Sequence, residues 1–182
     1  MRYFKSTAKP KVKKASVFKE RMDFIQKIIS LSKNEKGLLS EIDLYISRLV
    51  EQKNNEPYEF YLQVAVCKYL ELHYPNVLFI SGLTGVKMHP FIVKKLQYIH
   101  KDYFRIPDLQ ILQSNEKYIG LFIELKTLEN TPFLKNSDKF KSDIHVKEQA
   151  ESLEKLYKKG YFATFGVGFT ASQIIIDNYL KQ

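Results

Sequence analysis

The chain is poor in the features that mark secreted, metal-stapled or membrane-spanning proteins. It has one cysteine, Cys67, so no internal disulfide can form. Its four histidines, His73, His89, His100 and His145, show no HxxxH or HNH-like spacing, and a structural zinc site is not expected. Cys67 reads as a buried, inert thiol in mid-helix. No apolar run approaches the roughly 18–20 residues that span a bilayer, so no membrane partner is expected. The start, MRYFKSTAKPKVKK, has no apolar stretch behind it, which argues against a secretory signal. The expected compartment is the reducing cell interior, the cytoplasm. Internal repeats and low-complexity segments are absent.

What is present is one core's worth of apolar sequence and an excess of positive charge. Hydrophobic residues make up 45% of 182 positions, a globular proportion. Twenty-nine basic against 20 acidic residues give +9, a field that favours polyanions, nucleic acid above all. The excess is uneven. Every charged residue in 1–19 is positive, from Arg2 and Lys5 to Lys14 and Lys19. Residues 1–16 read as a flexible basic arm, with a plain solubilising tail as the alternative. A second cluster, Lys135, Lys139, Lys141 and Lys147, falls in a polar stretch that reads as a solvated loop.

Apolar periodicity predicts helices over 17–32, 35–52 and 58–73, the first two as a helical N-terminal extension over 17–56. A short strand is expected at 77–80, a loop around Gly82 and Gly85, and a helix over 90–100. Two strands, 109–112 and 118–126, are joined by a polar turn at 114–117. A helix over 142–159 stops at Gly160, placed for a C′ glycine after Lys158 and Lys159. A strand over 161–169 and a helix over 171–180 close the chain. Helices first, then mixed strands and helices, give an α/β sheet core, residues 57–182.

Residues 118–126 read YIGLFIELK. Ile119, Leu121, Phe122 and Ile123 are apolar on both parities, the mark of a strand buried on both faces. Glu124 and Lys126 then share one face at its end while Leu125 points the other way. A buried charge is costly unless paired or metal-bound. A structural Glu–Lys pair is the simple reading. Asp108, which opens the preceding strand after Pro107, adds another: a hairpin can bring its carboxylate near Glu124. Two close carboxylates repel and invite a divalent cation. Lys126 beside them can orient a water or meet a phosphate oxygen. Glu59 falls on the helix face of Leu62, Gln63, Val66 and Leu70, so an acid ends an apolar stripe. A first-turn glutamate favoured by the helix dipole is its alternative reading.

Ile106-Pro107-Asp108 followed by Ile123-Glu124-Leu125-Lys126 resembles the PD-(D/E)xK nuclease superfamily. Arg105-Ile-Pro-Asp-Leu, then Gly120-Leu-Phe-Ile-Glu-Leu-Lys-Thr127, then Gln149, resembles its VRR-NUC branch over roughly residues 57–180. Arg105 stands where the branch often has a small residue, and the stretch between Lys126 and Gln149 is longer than in a minimal member. The resemblance implies a restriction-endonuclease-like mixed β-sheet flanked by helices. It implies Mg²⁺, with Mn²⁺ as substitute, held by Asp108, Glu124, the Leu125 carbonyl and Glu59. It makes Lys126 and Gln149 catalytic helpers, although Gln149 also reads as an ordinary helix-flank residue. The implied activity is hydrolysis of DNA phosphodiester bonds, leaving a 5′-phosphate, with junction or flap DNA as the finer expectation. Lys135, Lys139 and Lys141 are the expected phosphate contacts. A homodimer is conceivable by the same resemblance, though no sequence feature demonstrates it. The rival is a non-catalytic nucleic-acid-binding protein with the same fold.

Overall fold

A strand apolar on both parities must be covered on both faces, and the YIGLFIELK segment supplies the centre of the sheet. The computed structural model describes residues 14–31, 40–51, 58–82, 89–98 and 105–181. The basic arm up to residue 13, Gly85 and His100 lie outside the described residues. Three helices come first: α1 (Lys14–Leu31), α2 (Ser40–Glu51) and α3 (Tyr58–His73). β1 (Phe79–Ser81), α4 (Pro90–Gln97), β2 (Leu109–Ile111) and β3 (Leu121–Lys126) follow. α5 (Ile144–Tyr157), β4 (Phe162–Val167) and α6 (Gly168–Leu180) complete the order.

The four strands stand in the order β1-β2-β3-β4. β1–β2 and β2–β3 pair antiparallel, whereas β3 and β4, joined through α5, pair parallel. A parallel neighbour needs such a crossover, and a helix is its usual form. Leu121, Ile123 and Leu125 lie in one core with Leu62, Ala65 and Val66 of α3 and Phe169 and Ile176 of α6. α5 packs on β4 and β3. This mixed sheet flanked by helices is a restriction-endonuclease-like α/β arrangement.

The helices before the sheet are part of the same core. Ile25, Ile28 and Ile29 of α1 and Ile42, Ile46 and Leu49 of α2 are buried in the cluster that holds the sheet residues. α1 and α2 pack on α3, and α2 also packs on α6. One polar contact fixes this arrangement. α6 has no capping side chain of its own at Val167. Asp43 of α2 supplies the cap instead: Phe169 N donates to its Oδ1 at 2.5 Å, Thr170 N to Oδ2 at 2.9 Å, and Thr170 Oγ1 to Oδ2 at 2.7 Å. Gly168 suits the junction, because its φ is +79° and an added Cβ would stand 2.8 Å from Asp43 Oδ1.

Several elements are shorter than periodicity suggests. β1 and β2 have three residues each, and β3 begins at Leu121 rather than 118. Asn115 holds the turn before β3, its side chain accepting from Lys117 N and Tyr118 N. Ile119 N donates to Gly160 O and Gly120 O accepts from Phe162 N, so the approach to β3 is already tied to the β4 side. α5 begins after Asp143, whose carboxylate accepts from His145 N and Val146 N. It ends at Tyr157, and Lys158 and Lys159 continue as a turn into Gly160, whose φ is +90°. Residues 132–141, expected as a solvated loop, form a small hairpin. Leu134 N donates to Lys139 O and Lys141 N to Pro132 O, and the Phe133 and Phe140 rings stack with centroids 5.3 Å apart.

The trans-element cap gives a stability test. Asp43→Ala removes a carboxylate that accepts two backbone N–H groups and a hydroxyl. It should lower the unfolding free energy by about 2 kcal/mol. Urea denaturation followed by circular dichroism reads this as a lower midpoint with unchanged slope. An unchanged midpoint would mean that the α2–α6 contact adds no stability.

Candidate active site at the end of the central strand

The register of the sheet brings the acidic residues together. Leu109 pairs with Ile123, so Asp108, one residue earlier, arrives opposite Glu124. Asp108 Oδ2 then accepts a 2.8 Å hydrogen bond from Leu125 N, which fixes the carboxylate against the end of β3. Gln63 of α3 secures the backbone on the other side. Its Nε2 donates to Asp108 O at 3.2 Å, Gly82 O at 2.8 Å and Ser81 Oγ at 2.8 Å, tying α3 to the ends of β1 and β2.

Glu124 and Lys126 share the β3 face that looks toward α5, and both are buried. Lys126 Nζ lies 3.1 Å from Glu124 Oε1 and 3.7 Å from Glu59 Oε1. Gln149 of α5 donates a short hydrogen bond from Nε2 to the same Glu124 Oε1. Both donors therefore engage Oε1, and Oε2 is the oxygen that neither touches. Glu59 lies in the first turn of α3, and the nearby Asn130 side chain favours its charged form. The Leu125 side chain is buried on the opposite face, in the core.

Among the described residues, three carboxylates stand close to the one Lys126 ammonium. Burial pushes the Glu124 carboxyl up, the neighbouring Asp108 charge pushes it further, and against the pull of Lys126 it reaches about 7. Burial also raises Glu59, again against Lys126, with Asp108 adding to the rise. Burial would lower the Lys126 ammonium, but Glu124 and Glu59 outweigh it and hold it above its ordinary value. Such mutual repulsion in a dehydrated pocket is what a divalent cation would relieve. Among the described residues, no group of three or more His, Cys, Asp or Glu side chains stands gathered as a ready metal cage. The donors face inward to Leu125 N, Lys126 and Gln149 instead. The chemistry of the set fits a hard cation all the same: its donors are carboxylate oxygens.

Arg105 has its own partner here. Its Nε and Nη2 lie 3.0 and 2.7 Å from Glu148 Oε2, and its backbone N donates to Ser152 Oγ at 2.9 Å. The segment leading into Asp108 is thus clamped to α5 one residue before Gln149. Thr127 is buried directly after Lys126, and its Oγ1 has no hydrogen-bond partner among the described residues. Lys135, Lys139 and Lys141 lie in the 132–141 hairpin, where none forms a salt bridge with a described residue. Gln63 and Asn130 were not singled out by sequence. A glutamine inside an apolar helical stripe is the signal that could have found Gln63; Asn130 carries no comparable signal.

Glu124 makes stability depend on pH. Its carboxyl titrates near 7 in the fold against an ordinary value of 4.5, so the fold holds the proton more tightly than the unfolded chain. The stabilisation is fully present below about 4.5 and is lost as pH rises through about 7. With a chelator present, the wild type should lose stability over that window. Glu124→Gln should flatten the fall and be more stable than wild type at alkaline pH by on the order of 2 kcal/mol. Thermal melts across pH test this, and parallel curves for the two proteins would contradict it.

No family model and no curated protein sequence matches the chain. A solved structure described as "VRR_NUC domain protein" is similar to it, with a TM-score of 0.45 and 22% sequence identity. The match covers 68% of this chain and 88% of that one.

Proposed function

We propose that the protein is a divalent-metal-dependent nuclease that hydrolyses phosphodiester bonds of DNA, as a member of the PD-(D/E)xK superfamily close to its VRR-NUC branch. The observation that carries this reading is the burial of Asp108, Glu124 and Lys126 at one end of β3, with Glu59 and Gln149 closing on them. A stabilising ion pair would need one carboxylate. Among the described residues three carboxylates stand near one ammonium, which suits a site that takes up positive charge.

Asp108, Glu124, the Leu125 carbonyl and Glu59 would hold Mg²⁺, or Mn²⁺ in its place. The ion would polarise the scissile phosphate and lower the pKa of a bound water. Lys126 supplies the fixed positive charge. From between Glu124 and Glu59, it would hold the attacking water and offset the negative charge that builds on the phosphoryl oxygens. Gln149 keeps the Glu124 carboxylate in one orientation through Oε1. The water oxygen bonds to phosphorus as the P–O3′ bond breaks. The 3′ oxygen leaves with a proton, and the phosphate stays on the 5′ side. A formal charge of +9 supports a polyanionic substrate. Lys135, Lys139 and Lys141, all on the 132–141 hairpin, would be the phosphate contacts of this reading.

Cleavage of labelled DNA with Mg²⁺ or Mn²⁺ tests the proposal. Asp108→Asn and Glu124→Gln should abolish cleavage while circular dichroism stays unchanged. Lys126→Met should slow the chemical step by about 10²–10³-fold. Full cleavage by either folded carboxylate variant would overturn the site. DNA binding without any cleavage by the wild type would make the protein a binding module instead.

Salt dependence tests the phosphate contacts. Each true contact contributes about −0.9 to the slope of log K against log salt on duplex DNA. Neutralising Lys135, Lys139 and Lys141 together should flatten that slope by two to three units (~0.9 per contact). An unchanged slope would remove the hairpin from the DNA-binding surface.

A further inference from the structure

Beside the acidic site lies a cavity of about 600 Å³ that the proposed chemistry does not use. That volume is within the usual range for a small-molecule-sized ligand. Its walls are aromatic. Phe133 and Phe140 come from the hairpin, Phe165 from β4 and Tyr157 from the end of α5. The three phenylalanines form one cluster, with Phe165 5.6 Å from Phe140 and 6.2 Å from Phe133, centroid to centroid. Phe140 is 44% exposed and Tyr157 54%, so much of this ring surface faces solvent rather than core.

The cavity and the acidic site share a wall. Phe165 is the register partner of Glu124 across the parallel β3–β4 pair, and aligned residues of a parallel pair lie on one face. Ala150, which also lines the cavity, follows Gln149 on α5. Charge is arranged for a nucleotide. Lys147 stands at the lining, and Lys135, Lys139 and Lys141 are carried by the same hairpin as Phe133 and Phe140. On the α5 rim, Glu154 is neutralised by Lys158 at 2.6 Å, while Glu151 supplies an acceptor for an exocyclic amine.

We infer that this cavity takes an unpaired nucleobase of the DNA strand bound at the acidic site, stacked on the Phe133–Phe140–Phe165 cluster while the hairpin lysines meet its phosphates. The inference rests on the nuclease reading and deepens it by giving the substrate a single-stranded element. Paired bases cannot enter, because their faces are covered by neighbouring pairs. A splayed-out base exposes a π-face, and aromatic platforms hold such bases with little regard to sequence.

The test compares two duplexes, each with the same single-stranded tail length. One tail carries bases; the other is built of abasic sites and so keeps only the phosphates. Binding is measured with the full chain, with Ca²⁺ in place of Mg²⁺, and cleavage is measured separately with Mg²⁺. The wild type should bind the base-bearing tail about tenfold more tightly than the abasic one. Phe140→Leu, which keeps apolar volume but removes a ring, should shrink that ratio several-fold. Ala150→Leu, which fills the cavity from a helical position, should do the same. Neither variant should change affinity for the abasic tail. Equal wild-type affinity for both tails, with DNA still cleaved, would overturn this inference alone. A preserved ratio in both folded variants would do so too, and would leave the cavity to a ligand other than DNA, such as an apolar peptide. Failure to bind or cleave any DNA would overturn the nuclease reading along with it.

Discussion

The burial of Asp108, Glu124 and Lys126 together at one end of β3 is the constraint around which the described residues are arranged. Glu124 and Lys126 are almost withdrawn from water, and Asp108 is brought opposite them by strand pairing. A site like this collapses or hydrates unless its surroundings hold it open. Three elements do so. α3 provides Glu59 and the Gln63 tether, α5 provides Gln149, and the Leu125 backbone pins Asp108. The sheet holds these donors in register, because β3 is hydrogen-bonded on both sides, to β2 and to β4.

The N-terminal helices belong to the same scheme. α3 carries two of the residues around the site, so its position must be fixed. α1 and α2 cover its outer side with buried isoleucines and Leu49. Asp43 then locks α2 to the start of α6, which follows β4 directly. A network on the far side, with Tyr69 and Tyr74 both donating to Asp177, ties α3 to α6 again. The rigidity that positions the carboxylates is therefore distributed along helices remote from them.

Much of this was legible in sequence, for physical reasons. The loss of alternation in residues 118–126 marks a strand covered on both faces, and β3 is an inner strand with α3 and α6 against one face and α5 against the other. Pro107-Asp108 and Glu124-Leu125-Lys126 could be paired because a hairpin leaves few registers open. α3 coincides with its apolar periodicity at both ends. What was hidden depends on contacts between distant positions. Asp43 looks like any first-turn acid of a helix, yet it caps a helix more than a hundred residues away. The 132–141 segment reads as polar, and its two phenylalanines signal nothing until their rings stack. The turn before β3 is held by a local Asn115 side-chain bond that periodicity does not register.

The central claim is that the carboxylate cluster exists to hold a divalent cation. Calorimetric titration of the full chain with Mn²⁺, repeated with Asp108→Asn, tests it most directly. The account predicts saturable binding at the wild-type protein, competed by Mg²⁺, and its loss in the folded Asp108→Asn variant. No saturable binding to the folded wild type, or binding that the substitution leaves unchanged, would contradict it.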